Sequence, residues 1–334
     1  IKTLLREARC IGCFYVESPA MRMLLKKLGA ETYKALVAAS SIIRPGVASS
    51  GMMREYILRF KGQKPSYETP VPIYKILEET FGVMVYQEDV IKVAHYYAGL
   101  GLGEADMLRR GMSGKYRGRE EFEKVRNLFF DNCKAKGYRE EESKEVWRQI
   151  ESFAGYAFSK GHSASYAVES FMSLYLKAYF PLEHMVAVIN NFGGFYRTEY
   201  YVHEARMHGA EIIAPHINKS SYLTDIEGTR IYLGFIHIAE LEQHTAENIL
   251  NERHKNGAFT CLTDFMKRVA ISLDQLRLLI RVGAFNFTSR TKKQLLWDIH
   301  SIIGDDKKTH VEKELFEPEY KSYNMPELYH SDRD

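Results

Sequence analysis

Apolar residues recur at helical spacing along most of this chain, and glycine or proline interrupts the pattern before any run grows long. That combination predicts many short amphipathic helices. Residues 19–40, PAMRMLLKKLGAETYKALVAAS, show it best. Met21, Leu24, Leu25 and Leu28 fall on one face, and Gly29 separates two helices. The same patterning predicts helices over 74–81, 87–98, 120–136, 140–153 and 163–180, where Pro181 stops the run. Further helices are expected at about 183–190, 197–208, 239–254, 262–268, 273–282 and 290–302. Residues 43–52, IRPGVASSGM, read as a loop, as does the stretch carrying Pro65, Pro70 and Pro72. One β signal exists. In YLTDIEGTRIYLGF (222–235), Glu227-Gly228 lies between two short β-rich runs, which reads as a hairpin. The expected fold class is mainly α with a small β element. With 45% hydrophobic residues over 334 positions, the chain can bury a real core, which excludes a disordered polymer. The length allows one large domain or two to three smaller ones.

The net charge of +3 hides an asymmetry: residues 1–119 carry 19 Lys and Arg against 11 Asp and Glu, and the remainder 27 against 32. A basic half joined to an acidic half points to a polyanion handled by the first half, against the plainer reading of scattered surface charge. Cys10 and Cys13 form a C-x-x-C, but no second pair follows, and Cys133 and Cys261 are isolated, so incidental cysteines in a reducing compartment are expected. No run of about 18 apolar residues and no signal-like segment is present, so the expectation is a soluble, intracellular chain. It begins at Ile1 rather than Met, as an excised piece of something longer would.

Two constellations carry candidate chemistry. The first is DMLRRGMSGKYRGR (106–119), where Arg109, Arg110, Lys115, Arg117 and Arg119 are interleaved with Gly111, Gly114 and Gly118. A short helix should end at Gly111. Adjacent arginines on a helix point about 100° apart, so both cannot bury against one core and at least one is available to a ligand. Guanidinium groups bind phosphate oxygens bidentately, Lys115 would act as a point charge, and glycines let a backbone approach closely. The second is GYAFSKGHSASYA (155–167), with Lys160 and His162 just ahead of a helix whose N-cap or first turn holds Ser163. A helix N-terminus attracts anions, and a lysine and histidine there make a phosphate site. Tyr156, Phe158 and Tyr166 offer flat faces for a base or sugar, or simply pack. A third candidate, VYQEDV (85–90), opens a helix with Tyr86, Gln87 and Glu88, for which nucleotide contact and helix capping are equal readings. The first two clusters are expected to converge on one concave face spaced for a polyphosphate.

Several chemistries leave no trace. The sequence has no G-x-x-x-x-G-K-[ST] loop, no H-E-x-x-H and no G-x-S-x-G. GLGLGE (99–104) follows a helical run rather than a strand, which removes it as a dinucleotide fingerprint. The close acidic pairs, Asp305-Asp306 and Asp332 with Asp334, fall in an acidic tail.

Six segments together, GCFYVESPAMRMLLKKL (12–28), RPGVASSGM (44–52), GVMVYQEDVI (82–91), GEADMLRRGM (103–112), FAGYAFSKGHSASYA (153–167) and LIRVGAF (279–285), resemble, in family order, the alpha subunit of bacterial DNA polymerase III, the replicative C-family polymerase. The resemblance implies a multi-helix fingers domain over 1–215 and a β-hairpin and degenerate helix-hairpin-helix module over 216–303, while the polar, acidic composition of 304–334 reads as a linker. It implies that Arg109, Arg110, Lys115, Lys160 and His162 contact the triphosphate of an incoming dNTP. Arg44, Arg117 and Arg119 would contact template-primer DNA. Mg2+ and the catalytic aspartates would belong to the palm domain of the parent chain, so this fragment would bind no metal and make no DNA alone. Partners implied are the palm, replisome subunits and a sliding clamp in the cytoplasm, with no membrane.

Three departures accompany the resemblance. Ser159 and Gly161 stand where the family usually has Asn and Ser, which alters local hydrogen bonds. The hairpin segment IHIAELEQ (236–243) lacks the glycine-apolar-glycine turn whose amides grip phosphate. EKELF (312–316) only loosely matches a clamp-binding peptide. The alternatives are a lesion-tolerant paralog, a helical module that grips nucleic-acid backbone without a nucleotide, and a scaffold whose acidic half docks partner subunits.

Overall fold

The computed structural model describes residues 1–43, 51–66, 69–112, 119–152 and 159–306; side chains are described for the same residues except 112, 119, 152 and 302–306. The chain is mainly helical with a small sheet, in two compact units. The first comprises Ile1–Met185 and Gly193–Arg197, the second Val186–Phe192 and Thr198 onward.

The first unit holds α1 (Lys2–Arg6), α2 (Pro19–Leu28), α3 (Tyr33–Ile42), α4 (Met52–Phe60), α5 (Val71–Ile76), α6 (Gln87–Lys92), α7 (Leu102–Met112), α8 (Arg119–Ala135), α9 (Glu140–Ser152) and α10 (Lys160–Tyr179). α2 forms as its sequence requires. Ser18 caps it by accepting the Met21 N–H, Pro19 opens it, and Gly29 ends it at φ +67, a left-handed conformation that costs glycine nothing. Met21, Leu24, Leu25 and Leu28 are buried together. α3 is buried continuously from Ala35 to Ile42. Its small residues let α10 lie close, and Ser41 Oγ meets Ser163 Oγ at 2.6 Å, both fully buried.

Local chemistry shifts some boundaries. The helix expected at 74–81 begins at Val71 with Pro72 in its first turn, and a 3-10 turn (Glu78–Thr80) follows before Phe81 and Gly82 reverse the chain at positive φ. α4 lies where the sequence pattern predicts only the approach to a proline-rich loop. α6 runs on into a π turn over Val93–Tyr97, which places Tyr97 in stacking contact with Tyr138.

α11 (Pro181–Asn190) begins in the first unit and ends in the second, which continues with α12 (Thr198–Met207), β1 (Glu211–Ile213), β2 (Asp225–Glu227), β3 (Arg230–Tyr232), α13 (Gln243–Asn256), α14 (Leu262–Arg268), α15 (Leu273–Arg281) and α16 (Lys292–Asp306). The hairpin is present, β2 antiparallel to β3 with Ile226 opposite Ile231, but its turn is Gly228-Thr229, one residue later than expected. Gly228 holds φ +61. β1 has no counterpart among the expected elements: it pairs parallel with β3, giving the order β1-β3-β2. Phe235, Ile249, Phe259, Phe265, Leu279 and Phe285 form this unit's own core.

Candidate functional site

The N-terminus of α6 organises the candidate residues. Tyr86 sits before the helix in extended backbone (φ −114, ψ 159). Asp89 folds back so that its Oδ2 accepts the Val85 and Tyr86 N–H groups at 2.9 and 3.0 Å. Asp89 is buried, and burial pushes its carboxyl above the usual range while the two N–H bonds pull the other way. Capping therefore falls to Asp89, and the side chains of Gln87 and Glu88 do something else.

Gln87 Oε1 accepts from Arg109 Nη1 at 3.4 Å. The Glu88 carboxylate accepts the Lys160 backbone N–H, at 3.1 Å to one oxygen and 2.9 Å to the other. The Arg109 guanidinium and the Lys160 backbone amide, one from each sequence cluster, thus meet consecutive residues of one short helix. Lys160 Nζ lies 5.5 Å from the centre of the Tyr86 ring and 2.6 Å from Glu79 Oε2. That hydrogen bond, with Lys34 and Lys92 nearby, holds Glu79 below the usual carboxylate range.

Arg109 and Arg110 share Asp106. Arg109 Nε and Nη2 reach its Oδ1 at 2.9 and 2.8 Å, and Arg110 Nη2 reaches Oδ2 at 2.6 Å. The Arg109 hydrogen bond keeps the Asp106 carboxyl below its ordinary pKa. The Arg109 side chain is 30% exposed and that of Arg110 60%, so neither is buried in the core. Their spacing from Asp106, three and four residues, is the helical ion-pair signal that the sequence carried. Glu79 has no such local signal, because its partner is far along the chain.

One expectation is corrected. Ser163 does not cap α10, and Lys160 and His162 do not precede it. The N-cap is Ser159, whose Oγ accepts the His162 N–H at 3.3 Å, so Lys160 and His162 lie within the first turn. Ser163 is one turn further in, where its hydroxyl is used against Ser41. Tyr166 packs on Phe14 and Tyr15, at 5.8 and 5.0 Å between ring centres. Arg44, Lys115, Arg117, Tyr156 and Phe158 lie outside the described residues. Arg119 opens α8, with its side chain likewise outside the description.

A cavity of about 430 Å³, lined by Arg59, Gly62, Gln63, Pro65, Thr69, Tyr74 and Phe81, shares no residue with this group. Its arginine is spent internally on Glu55, Thr69 and the Phe81 carbonyl. Among the described residues no three His, Cys, Asp or Glu side chains are placed to hold a metal ion, so they do not fit the Mg2+ site of a two-metal reaction. Cys10, Cys13 and Cys133 are buried cysteines, and burial pushes the Cys10 thiol up to about 11. Among the described residues no helix is long and apolar enough to cross a membrane.

Comparison with known proteins gives two family matches. The bacterial DNA polymerase III alpha subunit finger domain matches residues 1–137, and a helix-hairpin-helix motif matches 209–295. The DNA polymerase III subunit alpha of Aquifex aeolicus is 35% identical over 298 residues, covering 88% of this chain and 25% of that protein. That of Neisseria meningitidis is 34% identical over 301 residues (89% and 26%), and that of Staphylococcus aureus 33% over 308 (91% and 28%). The chain spans about a quarter of the length of these curated relatives. Carrying the finger domain and the helix-hairpin-helix motif in that order, with this identity across nearly nine-tenths of its length, the chain belongs to the bacterial DNA polymerase III alpha-subunit family.

Proposed function

We propose that this chain is the fingers and helix-hairpin-helix part of a DNA-directed DNA polymerase, and that Arg109, Arg110, Lys115, Lys160 and His162 receive the triphosphate of an incoming dNTP. The observation that carries the reading is the meeting of Arg109 and Lys160 on Gln87 and Glu88. Two cationic segments about 50 residues apart in sequence are held to one helix end, as a multidentate anion site requires.

The ion pairs explain how the cations can be ready without a ligand. Asp106 orients both guanidinium groups and Glu79 orients Lys160. A polyphosphate brings more negative charge than either carboxylate and competes for the same donors. Phosphoryl transfer asks a protein mainly for positioning and for stabilisation of spreading charge. Here the arginines would bind the phosphate oxygens and Lys160 would add charge. Ser159 would keep His162 in the first turn of α10. Mg2+ would be held by the palm of the parent chain, and no step here runs through it.

In the same reading Arg44, Arg117 and Arg119 contact template-primer DNA, and replisome subunits and a sliding clamp act through the parent protein in the cytoplasm. The test is Arg110→Ala in the full-length polymerase. Nucleotide kcat/KM should fall by about 10²-fold or more, and unaltered kinetics would overturn the assignment. The chain by itself should extend no primer.

A further inference from the structure

The hairpin of the helix-hairpin-helix motif, at 236–243, departs from what gripping a nucleic-acid backbone needs. Such a grip uses open backbone N–H groups at a helix N-terminus and small residues that let phosphate come close. Here the Glu242 N–H, at the N-cap of α13, is donated to Gln275 Oε1 at 2.9 Å. Gln275 Nε2 in turn donates to the Glu240 carbonyl at 2.7 Å. Gln275 is 8% exposed and fixed in the first turn of α15, where its own N–H reaches Ser272 Oγ. One buried amide therefore spans both sides of the turn.

The backbone keeps a glycine-like bend without glycine: Glu240 sits at φ +64. Glu240, Glu242 and Glu247 are all exposed, and residues 231–252 contain no Lys or Arg. Glu242 at the N-cap and Glu240 just before it supply the negative charge that this helix end attracts. His237, half-buried against Phe192, is held below its ordinary pKa by burial and adds no cation.

We propose that this hairpin is closed to DNA phosphate: Gln275 occupies in cis the amide that a phosphate oxygen would take, and Glu240 and Glu242 repel the polyanion. Any hold of the chain on duplex DNA then comes from other residues. This does not depend on the nucleotide reading. The bend remains as a structural clasp between α13 and α15.

Hydrogen exchange of the whole chain, with and without a saturating primer-template duplex at low salt, tests it. Peptides covering 236–249 should exchange at the same rate in both. Added protection there, lost as salt rises, would overturn the proposal. Failure of the chain to bind any duplex at low salt would support it. His244→Glu, an exposed first-turn change, supplies a second measurement. Duplex affinity should stay within about twofold, whereas a loss of about tenfold with a shallower salt dependence would show that the hairpin does hold phosphate.

Discussion

Two helix N-termini in this chain meet opposite surroundings. At α6 the end is capped by its own Asp89, and Gln87 and Glu88 gather Arg109 and Lys160 from distant segments. At α13 the N-cap amide is taken by a neutral amide, and the nearby charges are Glu240 and Glu242. The backbone end carries the same partial positive charge in both places. What differs is what the rest of the chain brings to it. Under the two proposals, the α6 end serves a polyanion through cations held beside its own acids, whereas the α13 end, with acids and no Lys or Arg over 231–252, does not. A motif match locates the element, and the side chains decide its use.

The largest way to break this contrast lies on the cationic side. Besides Arg110→Ala, Lys160→Ala in the full-length polymerase should lower nucleotide kcat/KM by about 10²-fold with template-primer affinity nearly unchanged; equal losses in both would make Lys160 a DNA contact. Next is the clasp. Gln275→Ala leaves the Glu242 N–H and the Glu240 carbonyl without their partner and should cost roughly 1–3 kcal/mol, read as a lower urea midpoint. No change would show that solvent serves the hairpin as well as Gln275 does. Ser159→Ala removes the α10 cap and should cost about 1 kcal/mol, with activity falling as the first turn loosens around Lys160 and His162.

Smaller effects sharpen the comparison. Glu240→Gly should stabilise the chain by under about 1 kcal/mol, since relief of the left-handed residue is partly offset by the freer unfolded chain. A destabilised variant would mean that the Glu240 side chain makes a contact of its own. Acidification addresses the other end. Asp106 is held below its ordinary pKa by Arg109, so its contribution is present above the unfolded carboxylate value of about 4 and is lost as pH falls through the lower folded value. Asp106→Asn should therefore flatten acid unfolding in that window slightly. An identical acid profile would leave the pair without energetic weight, as exposed pairs often are.

The helices were largely legible because each depends on residues three and four apart. α2 needed only Ser18, Pro19, its apolar face and Gly29. The charged clusters were legible for the same local reason; the Asp106 pairing carried the same three- and four-residue spacing but emerged only in the structure. β1 was not, since a parallel partner strand leaves no turn signal beside it. The start of α10 was misplaced because Ser159 and Ser163 are equally good caps on paper. Packing against Ser41 takes Ser163 inside, which leaves Ser159 at the end. Glu79 and Gln275 as partners were invisible, because their contacts cross long stretches of chain.

The order of residues alone determined the helical class, the hairpin, the basic first half and the loss of glycine from 236–243. These follow from propensity, periodicity and charge, which act within a few residues. Only tertiary structure decided that Arg109 and Lys160 share one helix end and that Gln275 takes the N-cap amide of the other. Both outcomes require remote segments to be brought within hydrogen-bonding distance, and short-range pattern carries no information about which remote groups will meet.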